Sequence, residues 1–347
     1  MLRTAGASGQ LKKGGHMSDD FSRRQFFRRL GAGAAGAAAG AGLPLLSAIG
    51  APDRHTLPHR DLGGNGVTVP ILAFGCGSRF LMYADEDKAQ EALNHAIDLG
   101  ITYLDTAYAY GDGKSESRVG ELMKTRRKDV FLATKIPDRT RDAFLSRLEA
   151  SLQRLQTDHV DLVHIHGLGE ADDLAKIEAP DGALRGLIEA REQKMARFIG
   201  MTSHTDGAVL AQAIERHPLN CTQMALNASG NGHFEVTALP AANRKKLGVI
   251  AMKVTGQEFL IGSGAGKADI DMLLRYSLSL PVSAAVIGMP HLDFISHNAE
   301  IAGSFTPLGP AELDRLRQQV GVSRQELEHR LVGHLDGPTC HGHALWA

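Results

Sequence analysis

Residues 130–166 read VFLATKIPDRTRDAFLSRLEASLQRLQTDHVDLVHIH. The first six residues are short, apolar and strand-like. After Pro137-Asp138, the residues Phe144, Leu145, Leu148, Leu152 and Leu155 recur at helical intervals and make one apolar stripe, so residues 141–155 are predicted to be an amphipathic helix. Residues 160–166 are again short and apolar. A strand, a helix and a second strand make a βαβ unit, and its two strands run parallel.

The same alternation extends in both directions. Strand-like runs lie at 69–74, 101–105, 198–202, 222–227, 249–253 and 284–287, making eight with the two already quoted. Helical patterns at 85–99, 115–125, 182–195, 206–216 and 270–280 fill the gaps. Eight alternations in roughly 240 residues match one closed (β/α)8 TIM barrel in count and size. An open doubly wound sheet would carry a glycine-rich turn after its first strand. Phe74-Gly75-Cys76-Gly77 lacks the third glycine of that turn. Leu62-Gly63-Gly64-Asn65-Gly66-Val67 reads as a tight N-terminal hairpin turn before the first barrel strand. Residues 311–320 and 323–332 read as C-terminal helices, followed by a polar Gly/His-rich tail.

The chain has 347 residues, 43% hydrophobic and 22% charged, with a net charge of -1. Its charge is uneven. Residues 1–50 hold seven Lys/Arg against two Asp/Glu, which leaves the remainder mildly acidic. An acidic body gives no electrostatic footprint for nucleic acid. Cys76, Cys221 and Cys340 lie far apart without a CxxC pair, so neither a disulfide framework nor a zinc site is expected. His334, Cys340, His341 and His343 crowd the tail but have no strand or helix to hold metal ligands in geometry, and no metal is assigned.

Ser22-Arg23-Arg24-Gln25-Phe26-Phe27-Arg28 precedes an Ala/Gly-rich run over residues 30–50. Paired arginines before a modest apolar stretch are the pattern of a twin-arginine signal peptide. The run is interrupted by Pro44 and is too weakly apolar for a stable membrane span. Ala48-Ile49-Gly50 offers a small-x-small cleavage site. Residues 1–50 are therefore read as an N-terminal extension and signal, and 51–347 as a single barrel exported to the periplasm by the twin-arginine machinery. Either Met1 or Met17 can be the start.

Barrel chemistry sits at the carboxyl ends of the strands. Asp105 closes the second strand and Tyr110 follows in its loop; Lys135 closes the third and His166 the fourth. A tyrosine, with an ordinary pKa of about 10, is a poor acid at neutral pH. A buried cation beside it favours the phenolate, and a carboxylate holds that cation in place. Lys135 and Asp105 can supply this arrangement, with His166 orienting a carbonyl oxygen. Tyr108 is a rival for Tyr110, and His164 shares a strand face with His166. The residue nearer the strand end is taken as the functional histidine, and His164 as a packed, hydrogen-bonded core residue.

Leu104-Asp105-Thr106-Ala107, Tyr110-Gly111, Ser115-Glu116 and Gly120 together resemble the signature of the aldo/keto reductases. Phe131 through Lys135 and Asp161 through His166 continue the likeness, which covers about residues 57 to 303. It implies a catalytic set of Asp105, Tyr110, Lys135 and His166. It also implies that Thr202, Ser203 and Gln223 hold a nicotinamide carboxamide, that Met252 stands where the cofactor ring is covered, and that Gly288, Met289 and Asn298 belong to the loop and helix that hold its adenine-side phosphate; Lys253 either contacts the cofactor's phosphates or is solvated at the rim. The implied activity is NAD(P)H-dependent reduction of a small aldehyde or ketone, with Tyr110 as proton donor. NADP is the cofactor that family habit favours, with NAD open. In three places the chain departs from its relatives. Met252 replaces an aromatic, Lys253-Val254 replaces a small polar residue and a proline, and Phe294 stands where a basic or polar residue often meets the 2′-phosphate. Gly167-Leu168-Gly169 replaces an aromatic-proline run, and the only tryptophan is Trp346. The alternative is a nicotinamide-binding sensor or partner-binding barrel with little catalysis; an isomerase using the same groups is a third reading.

Overall fold

The computed structural model describes residues 57–332. The twin-arginine pattern, its cleavage site and the Cys/His tail lie outside these residues. The described chain enters through an antiparallel pair, β1 (His59–Asp61) and β2 (Thr68–Pro70). The glycine-rich turn between them plugs the amino-terminal mouth of a barrel. Leu62 is fully buried among interior residues, and Gly63 approaches the Gly248 backbone so closely that a Cβ would lie 2.4 Å from its nitrogen.

Eight parallel strands then close on themselves. They are β3 (Leu72–Gly75), β4 (Tyr103–Asp105), β5 (Phe131–Ile136), β6 (Val160–Ile165), β7 (Ala196–Ser203), β8 (Cys221–Ala225), β9 (Gly248–Met252) and β10 (Ala284–Ile287). β10 pairs with β3, so the barrel has no open edge. The run predicted at 69–74 is in fact divided. Thr68–Pro70 belongs to the hairpin and Leu72–Gly75 to the barrel, and the break falls at a proline, which has no N–H to give to a ladder.

Helices surround the strands: α1 (Glu86–Asp98), α2 (Lys114–Arg126), α3 (Arg141–Leu155), α4 (Ala171–Glu178), α5 (Ala183–Glu192), α6 (Gly207–Arg216), α7 (Ala238–Arg244), α8 (Ile270–Ser279) and α9 (Leu292–Gly303). The predicted C-terminal helices appear as α10 (Pro310–Gly321) and α11 (Arg324–Val332). α4 and α7 carry too few turns for their apolar stripe to stand out in the sequence. Among the described residues no helix is long and apolar enough to cross a membrane.

Side-chain alternation decides what each strand shows to the interior. On β5, Ala133 and Lys135 point inward while Leu132 and Thr134 meet the helices. Deep in the barrel Ala73, Tyr103, Ala133, Leu162, Cys221 and Ile250 form a small apolar plug. A polar layer lies above it at the strands' carboxyl ends.

Candidate active site

The polar layer is organised around one ammonium. Lys135 Nζ donates to Asp105 Oδ2 at 2.7 Å and to the Thr106 carbonyl at 2.8 Å, and reaches Tyr110 Oη at 3.5 Å. Its side chain is 1% exposed and that of Asp105 3%. Two charges removed from water are tolerated only when closely paired and hydrogen-bonded, and here all three ammonium protons have an oxygen. Gln223 Nε2, from β8, donates to the same Asp105 oxygen at 3.1 Å. Residues from three strands thus hold one carboxylate–ammonium pair in place.

Tyr110 comes to this pair from the loop after β4. Its ring lies with its centroid 5.0 Å from Lys135 Nζ and 5.9 Å from that of His166, edge-on at 78°. The backbone beneath is tied to neighbouring strands, with Thr106 N–H donating to Ala133 O and Tyr108 N–H to Lys135 O. Asp105, Tyr110, Lys135 and His166 are therefore gathered at one place, as their strand-end positions predict.

The rival residues are placed elsewhere. Tyr108 turns outward onto α3, where Arg147 donates to its hydroxyl and Arg154 lies over its ring at 4.2 Å. His164 is fully buried one layer deeper, beside Lys135 in register on β5. Burial, and after it the charges of Lys135 and His166, hold its pKa well below the ordinary imidazole value. The expectation that it is hydrogen-bonded is not met by protein groups, for neither ring nitrogen reaches one. Gly200 presses on the ring so closely that a Cβ there would lie 2.6 Å from Nδ1, and this packing occupies that side of the ring. Cys76 is also buried here, and burial pushes its thiol well above the usual range, which removes it as a nucleophile.

A cleft opens from Tyr110 across the barrel mouth. Gln223, Met252, Lys253, Gly288 and Asn298 line it, together with Gly75, Gly77 and Phe294. Two acceptors on its wall, Gln223 Oε1 and Asn298 Oδ1, are buried without a protein hydrogen bond, which suits a ligand bearing N–H donors at both ends. The cleft floor is built from close backbone. A Cβ on Gly75 would stand 3.1 Å from Gly288 N, so two strand ends meet there without side chains. These features fit an extended dinucleotide whose amide lies near Gln223 and whose amino-purine lies near Asn298.

Thr202, Ser203 and Met289 are placed otherwise. The Thr202 hydroxyl accepts from Gly167 N–H at 2.8 Å and Ser203 Oγ donates to Leu168 O at 2.7 Å, so both fasten the loop after β6 to β7. Met289 is fully buried, and its carbonyl accepts from Tyr83 Oη. None of the three lines the cleft.

Other lining residues were not foreseen. His204, one position past β7, borders the cleft with its ring 6.2 Å from His166; the strand-end rule could have found it. Arg79 and Glu258 form an ion pair at 2.7 Å between the loops after β3 and β9. Nothing local in the sequence pairs residues so far apart.

Residues 72–272 match the family model described as "Aldo/keto reductase family". Aldo-keto reductase yakc [NADP(+)] of Schizosaccharomyces pombe is 29% identical over 226 residues, covering 60% of this chain and 64% of that protein. The uncharacterized oxidoreductase YqkF of Bacillus subtilis is 32% identical over 156 residues, or 42% of this chain and 48% of that one. The matched stretch thus spans under two thirds of the length of these two relatives. L-galactose dehydrogenase of Arabidopsis thaliana is 26% identical over 292 residues, 72% of this chain and 89% of that protein. The holo form of aldo-keto reductase AKR11C1 from Bacillus halodurans superposes with a TM-score of 0.64 at 24% identity, covering 78% of this chain and 96% of that one, a likeness of fold.

Proposed function

The chain belongs to the aldo/keto reductase family, and from that premise we propose that it reduces an aldehyde or ketone with NADPH, Tyr110 giving the proton. The observation that carries the reading is the Lys135 ammonium, bonded to Asp105 and within 3.5 Å of Tyr110 Oη at the floor of a cleft. The reduced nicotinamide, when bound, supplies the hydride that the carbonyl carbon accepts.

The protein's own groups do the rest. Tyr110 Oη releases its proton to the carbonyl oxygen, and Lys135 stabilises the phenolate left behind. Asp105 holds the ammonium aimed at Tyr110, and Gln223 fixes Asp105 through Nε2 while its Oε1 remains to accept from the cofactor's amide. His166 holds the carbonyl oxygen opposite Tyr110. Met252 would cover the cofactor ring with a polarizable thioether, Lys253 and Gly288 would border its phosphates, and Asn298 Oδ1 would accept from the adenine amine. NADP is the cofactor named for the yeast relative; Phe294, half-exposed at the rim, gives no charge to its 2′-phosphate.

We assign the protein to the periplasm, exported folded by the twin-arginine machinery, on the strength of residues 22–28.

The decisive experiment follows NADPH absorbance with a panel of aldehydes, comparing the natural chain with Tyr110→Phe. Loss of general-acid catalysis costs roughly 10²–10⁴-fold in turnover. Equal turnover in the two proteins refutes the assignment of the acid. Tight NADPH binding with no turnover on any carbonyl favours the binding-only alternative.

A further inference from the structure

The loop that delivers Tyr110 is held in an unfavourable backbone shape. Gly111, Asp112 and Gly113 follow it with φ of 58°, 52° and 90°, three successive residues in the left-handed region. Asp112, unlike its glycine neighbours, has a Cβ that disfavours that conformation. Something outside the loop must hold it, and the contacts of Arg154 on α3 identify the holder.

Arg154 touches the loop twice. Its guanidinium lies over the Tyr108 ring at 4.2 Å, and it occupies the space beside Gly113, where a Cβ would stand 2.0 Å from Nη1. Its Nε lies 3.0 Å from Oε2 of Glu116, whose side chain is 0% exposed, a charge contact made without hydrogen-bond alignment. The other oxygen of Glu116 accepts from Thr134 Oγ1 at 2.7 Å, and Thr134 immediately precedes Lys135 on β5. The Arg154 carbonyl abuts Gly120, where a Cβ would lie 2.0 Å away, so α2 and α3 pack backbone to backbone there. One cation therefore links the strand carrying Lys135 with the loop carrying Tyr110, from the outer side of the barrel wall.

We propose that Arg154 is a positioning residue for Tyr110, holding the arc from Tyr108 to Gly113 so that the phenol faces Lys135. The inference rests on Tyr110 being the acid. It assigns Arg154 no contact with substrate or cofactor, since it lies behind the wall and does not line the cleft. Its planar guanidinium both stacks on Tyr108 and faces a carboxylate, which a lysine ammonium cannot do as well.

The test is Arg154→Met, with kcat measured beside the dissociation constant for NADPH from quenching of protein fluorescence. A misplacement on the order of 1 Å costs roughly 10²-fold in rate, so kcat falls by about that factor while NADPH affinity is unchanged. The alkaline limb of the kcat profile moves to higher pH, because a phenol drawn away from an ammonium loses its acidity. Arg154→Lys, which keeps the charge toward Glu116, restores part of the rate. An unchanged kcat, or a loss of NADPH affinity as large as the loss of rate, overturns the proposal. If Arg154→Met does not fold, Tyr108→Leu, set against Tyr108→Phe, which loses only the hydroxyl that Arg147 meets, reads the stacked face. The same selective fall in kcat is expected, and wild-type turnover overturns the idea. Turnover that survives Tyr110→Phe brings down the acid itself. A silent Arg154→Met beside an inactive Tyr110→Phe brings down only the positioning.

Discussion

Replacing Lys135 by methionine isolates the interaction on which the site depends. The ammonium and the Asp105 carboxylate are 1% and 3% exposed and 2.7 Å apart, so solvent screens neither. Methionine fills much of the same volume but leaves the carboxylate with Gln223 Nε2 as its remaining side-chain donor. Removing one member of a buried pair costs about 3–5 kcal/mol, most of it from stranding the other charge. Asp105→Asn strands the ammonium in turn, though Thr106 O still accepts from it at 2.8 Å, so its cost lies toward the lower end of that range. The double variant buries two neutral groups and is more stable than the two single losses added together would allow. A coupling of about 0.5–3 kcal/mol is expected for groups in contact. Urea unfolding of the four proteins, followed by circular dichroism, measures it. Additivity to within about 0.5 kcal/mol would mean that the pair is not coupled in solution, and the electrostatic account of the site would fail. Turnover is lost in both single variants and is not recovered in the double one, because neutral side chains restore stability without restoring the cation beside Tyr110.

Two further predictions concern groups away from the reacting atoms. His164 has a depressed folded pKa, so the unfolded chain binds a proton that the native state refuses, and stability falls as pH drops below about 6.5. The contribution approaches about 1.4 kcal/mol per pH unit, and His164→Gln flattens the slope of urea midpoints between pH 7 and 5; an unaltered slope removes His164 as its source. For export, Arg23→Lys with Arg24→Lys leaves the chain in the cytoplasmic fraction of a host with an active twin-arginine system. Undiminished periplasmic recovery sinks that assignment.

How far the site could be read from sequence varies residue by residue. Asp105 and Lys135 were legible because each closes a short apolar strand, and a strand end in a closed parallel barrel has one destination; Gln223, inside β8, was legible only through the family resemblance. Tyr110 and His166 followed from the same rule, though choosing them over Tyr108 and His164 needed the loop conformation and the strand layer. Thr202 and Ser203 satisfied the rule equally well, yet they hold the neighbouring loop, because a hydroxyl bonds whatever backbone group folding brings nearest.

The sequence by itself determined the barrel, since eight short apolar runs separated by helical stripes can bury both faces of a parallel sheet in few other ways. It also determined the layer at which chemistry gathers, since side-chain alternation is a local property of each strand. Tertiary structure alone decided the contacts between distant loops. The Arg79–Glu258 pair across the cleft and the seat of Arg154 between Tyr108, Gly113 and Glu116 depend on closure distances that no local pattern encodes. A strand's period is written in consecutive residues, whereas the meeting of two long side chains is settled by how whole elements pack.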